Sequence, residues 1–317
     1  MNVIRDTIYG RIAFPVRALA LVIALGIIVT GCNDDDDDGG LGPGGDTDAL
    51  QVIQEEDDLT LFAQYITDAG LEERLISGGP YTIFAPTNDA FEKLPEGYAD
   101  NLSQSQLEEI INYHITSLEV PSGDISLEQG VETLQGDSLF IVPEDDGLVI
   151  NRSATVTETD IEASNAYIHK VDSLLFPDSY LTVFGIANKR YYTSLFACNC
   201  TSGRTGLQPL LEDSSLEFTV FVSTNAAFEE IDDESMPDDE LRNIMEYHVV
   251  EEVLLSNQLS DGQTLTTRNG DELTVSVGED SSISLNNGAA VVQIADLEGV
   301  NGVVHIINAV LPPPSSN

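Results

Sequence analysis

Hydrophobic and polar positions along this chain follow two periods, and the change from one to the other happens twice. Over residues 49–69 the apolar positions Leu50, Ile53, Leu61, Phe62, Tyr65 and Ile66 recur at helical spacing, with a break expected at Asp57-Asp58. Ser77-Gly78-Gly79-Pro80 ends that stretch and starts a short apolar run that reads as a buried strand. Thr87-Asn88 then caps a helix whose first turn carries Phe91 inward. After a break at Pro95 and Gly97, Ser103-Gln104-Ser105-Gln106 forms a capping box opening a helix through Leu107, Ile110, Ile111 and Tyr113. From Val131 the period shortens to strand alternation over residues 138–142, 148–150, 154–159 and 167–171, with turns at Gly136-Asp137 and Asp146-Gly147. The second half repeats the order: a helix over 180–196, a later one introduced by Ser235-Met236-Pro237-Asp238, then strands with type I′ hairpin turns at Asn269-Gly270 and Asn287-Gly288. Helices first and strands after predict an α+β fold with an antiparallel sheet in each half.

The recurrence extends to individual residues. Tyr81-Thr82-Ile83-Phe84-Ala85-Pro86-Thr87-Asn88-Asp89-Ala90-Phe91 returns 137 positions later as Phe218-Thr219-Val220-Phe221-Val222-Ser223-Thr224-Asn225-Ala226-Ala227-Phe228. Tyr113-His114 returns as Tyr247-His248; Asp160, Asn165 and His169 return as Asp296, Asn301 and His305. The offset far exceeds the roughly 20 to 50 residues of solenoid and propeller repeats, so each copy should be a whole domain. The expected division is 1–31, an export signal; 32–46, an acidic and glycine-rich tether; and domains over 47–177 and 178–314, joined by a link no longer than Pro177-Asp178.

This set of landmarks resembles the fasciclin domain family: the Thr-Asn-x-Ala-Phe segment, the mid-domain Tyr-His pair, and a closing strand whose pattern residues 295–308 carry almost intact. Repeat 1 departs from it at Ala166, where repeat 2 has Gly302, and at Lys170 after the histidine. The resemblance implies two tandem fasciclin-like domains, each a wedge-shaped β sandwich with helices along one edge. It also implies a non-catalytic role in adhesion or matrix interaction, with a protein or polysaccharide ligand and homophilic contact as a further option. The family's adhesive segments map onto Tyr113, His114, Asp160 and Ile161 in repeat 1, and onto Tyr247, His248, Asp296 and Leu297 in repeat 2. Packing in the core is the competing role for the Tyr-His pairs, since buried aromatics more often pack than recognise.

At the N-terminus, Arg5, Arg11 and Arg17 precede an apolar run over 18–29 and then Thr30-Gly31-Cys32. This is the pattern of an export signal. Val29-Thr30-Gly31-Cys32 resembles the lipobox of bacterial lipoproteins, which implies cleavage before Cys32, lipid attachment to its sulfur, and a place in the bacterial cell envelope. The run is shorter than the roughly 20 apolar residues of a membrane span. Five aspartates, Asp34 to Asp38, and a glycine-rich stretch follow; a like-charge block of this kind stays solvated and serves as a spacer, with a calcium site or sorting signal as the alternative.

Charge narrows the partners. With 55 acidic and 12 basic residues the formal net charge is -43, so a phosphate backbone is repelled and nucleic acid is excluded. No Gly-x-Ser-x-Gly, His-Glu-x-x-His, phosphate loop or dinucleotide fingerprint occurs. No cofactor and no metal are expected. The four histidines are flanked by apolar residues, which points to buried, hydrogen-bonded imidazoles rather than ligands. Cys198-Asn199-Cys200 reads as part of an insertion after the first helix of repeat 2, and as a strained local disulfide in an oxidising compartment. Asn101-Leu102-Ser103 and Asn151-Arg152-Ser153 match the glycosylation pattern by chance. The rival functions are a periplasmic partner-binding or stress-response lipoprotein, and an enzyme without a recognisable motif.

Overall fold

The computed structural model describes residues 47–145 and 147–314. The expected export signal (1–31), Cys32 and the expected tether (32–46) lie outside the described residues.

Repeat 1 opens with three short helices, α1 (Ala49–Glu55), α2 (Thr60–Ala69) and α3 (Glu72–Ser77). Asp48 caps the first by accepting from the Gln51 amide, and Gly70 ends the second in the left-handed region at φ 75°. Next come β1 (Tyr81–Pro86), α4 (Asn88–Glu92) and α5 (Gln104–Tyr113), whose capping box at Ser103 and Gln106 forms as expected. Strands β2 (Ile115–Thr116), β3 (Gln129–Glu132), β4 (Ser138–Glu144), β5 (Gly147–Ile150), β6 (Ala154–Ala163) and β7 (Ala166–Val171) complete it. Repeat 2 runs through α6 (Val183–Asn188), α7 (Ser194–Thr201), α8 (Gln208–Leu211), β8 (Phe218–Ser223), α9 (Asn225–Phe228) and α10 (Asp238–Tyr247). It ends with β9 (Val249–Val250), β10 (Thr264–Thr266), β11 (Glu272–Val277), β12 (Ile283–Leu285), β13 (Ala290–Gly299) and β14 (Gly302–Ile307).

Both repeats have the same sheet. The strand order β2-β1-β7-β6-β5-β4-β3 of the first is matched by β9-β8-β14-β13-β12-β11-β10 in the second. Each sheet folds over until its two edges nearly meet, joined through Leu134 N–H to Ile115 O (2.7 Å) and Arg268 N–H to Val249 O (2.8 Å). The expectation of a purely antiparallel sheet is corrected at one pair per repeat. β1 runs parallel to β7 and β8 parallel to β14, because the last strand returns beside the first after a long excursion.

This central pair is buried on both faces, which explains why β1 and β8 read as near-continuous apolar runs. Ile83 and Ile168 face the helices with Ile53, Phe62 and Ile66, whereas Phe84 and Val171 face the interior of the folded sheet with Val131, Ile141 and Ile150. Side chains of this size each contribute about 1.5–3 kcal/mol when fully buried. Asn165 ties the layers: its carbonyl oxygen accepts from Ala49 N–H and its amide donates to Leu75 O and Gly78 O. Asn301 does the same with Val183, Leu211 and Asp213.

The helix expected over 180–196 is broken. A 3-10 turn, α6, a second 3-10 turn and α7 replace it, because Arg190 leaves the helical region (φ -99°, ψ 128°). The cysteine pair also moves out of the expected insertion. Asn225 accepts from Leu195 N–H as Asn88 accepts from Leu61 N–H, so α7 is the counterpart of α2 and the extra residues follow it, at 202–207.

Asp178, at the link between repeats, is 4% exposed. Its carboxylate meets Lys189 Nζ at 2.5 Å and Arg190 Nη2 at 2.6 Å, and its amide donates to Asp137 Oδ2 of repeat 1. Lys189 also donates to Tyr113 OH (3.0 Å) and lies over that ring, Arg190 lies over Phe140, and Arg152 of repeat 1 lies over Tyr191. One buried carboxylate thus faces two buried cations, so removing Asp178 leaves both without their counter-ion.

Candidate functional site

The landmark residues of each repeat form two separate networks, and the duplication reproduces both. In the first, Asp160 interrupts the β6–β7 ladder at a register shift and takes the left-handed conformation (φ 57°), as Asp296 does in β13 (φ 60°). A bulge with positive φ suits aspartate better than a branched or bulky residue. The Asp160 carboxylate accepts from Ser122 N–H (2.8 Å) and the Ser122 hydroxyl, holding the 3-10 turn over 122–124; Asp296 holds Ser256 and its turn in the same way. Burial pushes the Asp160 carboxyl up, but the Ser122 donors more than offset this and keep it below its ordinary value.

A histidine stands behind each bulge. His169 Nδ1 accepts from Asp160 N–H (3.1 Å), so Nε2 carries the proton and donates to Val120 O (2.9 Å). His305 repeats this with Asp296 N–H (3.2 Å) and Leu254 O (2.9 Å). Burial lowers both imidazoles, with the carbonyls and carboxylates offsetting part of the shift. Each ring is neutral, buried and stacked on a phenylalanine, Phe84 or Phe221.

The Tyr-His pairs belong to the second network. His114 caps α5 with the opposite tautomer: Nδ1–H donates to Ile110 O (2.8 Å) and Nε2 accepts from Leu175 N–H (3.0 Å). His248 bonds Ile244 O and Leu311 N–H in the same way, which fastens the closing segment of each repeat to the end of its long helix. Burial pushes both imidazoles down to about 4, the carbonyls of Ile110 and Ile244 opposing it. Tyr113 OH donates to Ser138 O and accepts from Asn151, and Tyr247 OH pairs likewise with Glu272 O and Asn286. Burial raises the Tyr113 phenol.

Of the eight candidate contact residues, then, Tyr113, His114, Tyr247 and His248 are buried in the core. Asp160, Ile161, Asp296 and Leu297 lie where solvent reaches them, with Ile161 and Leu297 packed partly against the helical cores. The Cys198–Cys200 bridge is not formed. Two positions along a helix turn side chains roughly 200° apart, so Cys198 is exposed and Cys200 buried, and both are free thiols.

Several residues escaped sequence reasoning. Lys170 is buried with Glu56, Asp58 and Glu158 around its ammonium at 2.7–3.0 Å, so the departure from the closing-strand pattern is balanced locally. Asp178, Lys189 and Arg190 were missed too. Their one signal was a Lys-Arg pair close to the domain link in a chain with 12 basic residues.

Comparison with known proteins gives consistent results. The fasciclin domain model matches residues 57–177 and 200–313. Human periostin is 31% identical over 271 residues, covering 84% of this chain and 31% of periostin. The transforming growth factor-beta-induced protein ig-h3 of Oryctolagus cuniculus is 30% identical over 269 residues, covering 84% of this chain and 38% of that protein. The chain thus spans about a third of these relatives' length. The cell surface glycolipoprotein MPB83 of Mycobacterium bovis is 34% identical over 104 residues, covering 32% of this chain and 46% of that protein. Among solved structures, a domain pair from the insect cell adhesion molecule Fasciclin I superposes with a TM-score of 0.57 at 23% identity, covering 80% of this chain and 96% of that one. With the family model matched twice and the same duplicated sheet in both halves, this chain belongs to the fasciclin domain family.

Proposed function

We propose that this protein is a non-catalytic adhesion or matrix-interaction protein of the bacterial cell envelope, anchored by lipid at Cys32. The observation that carries this reading is the pair of Asp-(Ile/Leu) bulges. Each presents a carboxylate and a half-buried aliphatic side chain at the surface, and each is pinned from behind by a neutral histidine. Asp160, Ile161, Asp296 and Leu297 make the contact, while Tyr113, His114, Tyr247 and His248 hold the frame that presents them. The relatives' names, among them a cell adhesion molecule and a cell surface glycolipoprotein, support the same reading.

Repeat 2 is the stronger face. Ile294 on β13, two residues before Asp296, is 41% exposed, while the matching position in repeat 1 is Glu158. A single exposed apolar residue needs no explanation, but one beside the bulge widens the contact area there. The test is fractionation of cells carrying the wild type or Cys32→Ala, with external protease applied to whole cells. The reading expects membrane-bound, protease-accessible wild type and a released variant. Wild type protected from external protease would favour a periplasmic partner-binding lipoprotein instead.

A further inference from the structure

The two edges of the repeat 2 sheet meet at one bond and then part. Arg268 N–H donates to Val249 O (2.8 Å), and past this bond β9 and β10 pair with no strands but β8 and β11 among the described residues. The gap between them is a groove of about 450 Å³, walled by Val250, Glu251 and Glu252 on one side and by 263–268 on the other.

The hydrogen-bond phase of each edge decides which groups face that groove. In an antiparallel pair, alternate residues turn both N–H and C=O toward the neighbouring strand, and those between turn them away. Thr267 N–H donates to Asp271 O and Val275 N–H to Gln263 O, so Gln263, Leu265 and Thr267 are in phase with β11. Thr264, Thr266 and Arg268 therefore face the groove, as the Arg268 bond to Val249 requires. On the other wall Phe221 N–H donates to His248 O, which puts His248 and Val250 in phase with β8 and turns Val249 and Glu251 outward. Thr266 and Glu251 thus stand where the next rung of the ladder would fall, and no backbone bond joins them among the described residues. Two facing edges with free donors and acceptors form a slot for one more strand.

The side chains suit such an addition. Val250 and Leu265 are buried in the interior of the folded sheet, whereas Glu251, Glu252, Thr264 and Thr266 are exposed. An inserted strand would lay alternate apolar residues over Val250 and Leu265 and turn the others toward the carboxylates. Arg268 already holds Glu251, but Glu252 is in no ion pair among the described residues. Repeat 1 guards the same edge. Gly130 and Glu132 occupy the positions of Thr264 and Thr266, and an exposed charge such as Glu132 deters strand addition. Repeat 2 has β-branched threonines there, which favour a strand.

We infer that the split between β9 and β10 takes up an extended segment of another protein as an added strand, with β-branched residues facing inward and a basic residue beside Glu252. A second copy of this chain, at a formal net charge of -43, brings carboxylates to carboxylates and is the poorer occupant. The slot is distinct from the Asp296 bulge, so either assignment can fail without the other.

The mature chain in detergent is titrated with the peptide acetyl-Thr-Val-Lys-Val-Thr-amide, with amide resonances and their exchange with deuterium recorded by NMR. Saturable shifts at Glu251, Thr264 and Thr266 are expected, together with slower exchange of those amides. The same peptide N-methylated at both valines keeps its side chains and charge but loses two donors, and should bind at least about tenfold more weakly. Glutamate in place of the peptide's lysine should have a comparable effect. Thr266→Pro removes one outward N–H and no bond to β11, so it should weaken the parent peptide by a similar factor, with the fold checked by its melting temperature. Asp296→Asn leaves binding unaltered. Equal binding of either altered peptide, shifts confined to other residues, or no saturation by about 10 mM peptide would overturn the inference. The N-methyl comparison decides the matter even where Thr266→Pro does not fold.

Discussion

Single residues in this protein matter mostly through the partners they satisfy. His305 is the clearest case: its two ring nitrogens each have one partner of the correct polarity, Asp296 N–H and Leu254 O. His305→Ala leaves that amide and carbonyl unpaired at roughly 1–3 kcal/mol each. We expect a clearly lowered melting temperature, with the fraction that remains folded still binding. Unchanged melting with lost binding would make the histidine a contact residue. The same logic gives a pH dependence. His114 and His248 are held at about 4 in the fold against 6.5 when free, so the unfolded chain binds more protons between these values. Their contribution is complete above about pH 6.5 and disappears as pH falls toward 4. Melting temperature should therefore drop across that interval, more than in a His114→Gln/His248→Gln variant. A flat profile would show that these rings are not buried neutral.

At the level of elements, legibility in the sequence followed from how local each signal was. The α5 capping box and the strands of the second half of each repeat depend on neighbours a few residues away, and the structure has them; hairpins also form at the two Asn-Gly steps, but round loops of 267–271 and 286–289 rather than two-residue type I′ turns. The parallel pairing of β1 with β7 joins residues far apart in sequence, and alternation within a strand carries no record of its partner's direction. The break inside 180–196 comes from Asp178, which draws Lys189 and Arg190 toward repeat 1; the apolar period alone hides it. The candidate site was legible as residues but not as a division of labour. The Tyr-His step and the Asp-(Ile/Leu) step both look like landmarks, and only their hydrogen bonds separate core from surface. One glycine carries its own test. Gly302 has φ 144°, and an added Cβ would sit 1.9 Å from Phe218 O in the adjoining strand. Gly302→Ala should cost about 2 kcal/mol or more, read as a lower denaturation midpoint, because both the conformation and the space exclude a side chain. A neutral outcome would mean that the β8–β14 pairing is looser than drawn.

For the whole molecule, the link between repeats is a bonded seam rather than a free hinge. The seam uses Asp178, Lys189, Arg190, Tyr113, Phe140 and Arg152. We propose nonetheless that 47–177 and 178–314 are separate folding units, since each holds its own two cores. Either half alone should melt cooperatively, below the temperature of the pair; a half without a transition would show that the repeats share one core. Asp178→Ala leaves two buried cations facing each other and should cost about 3–5 kcal/mol within repeat 2, visible as its calorimetric transition falling away from that of repeat 1. A fixed angle between the repeats would matter to an adhesion protein because it sets where the two bulges face. The most direct test of that role is retention of cells on immobilised envelope and matrix material. It compares cells displaying the wild type, cells displaying Asp296→Asn/Leu297→Ser at equal surface level, and cells lacking the protein. The account predicts strong retention for the first and a loss of most of it for the second. Wild-type cells retained no better than cells lacking the protein would contradict it.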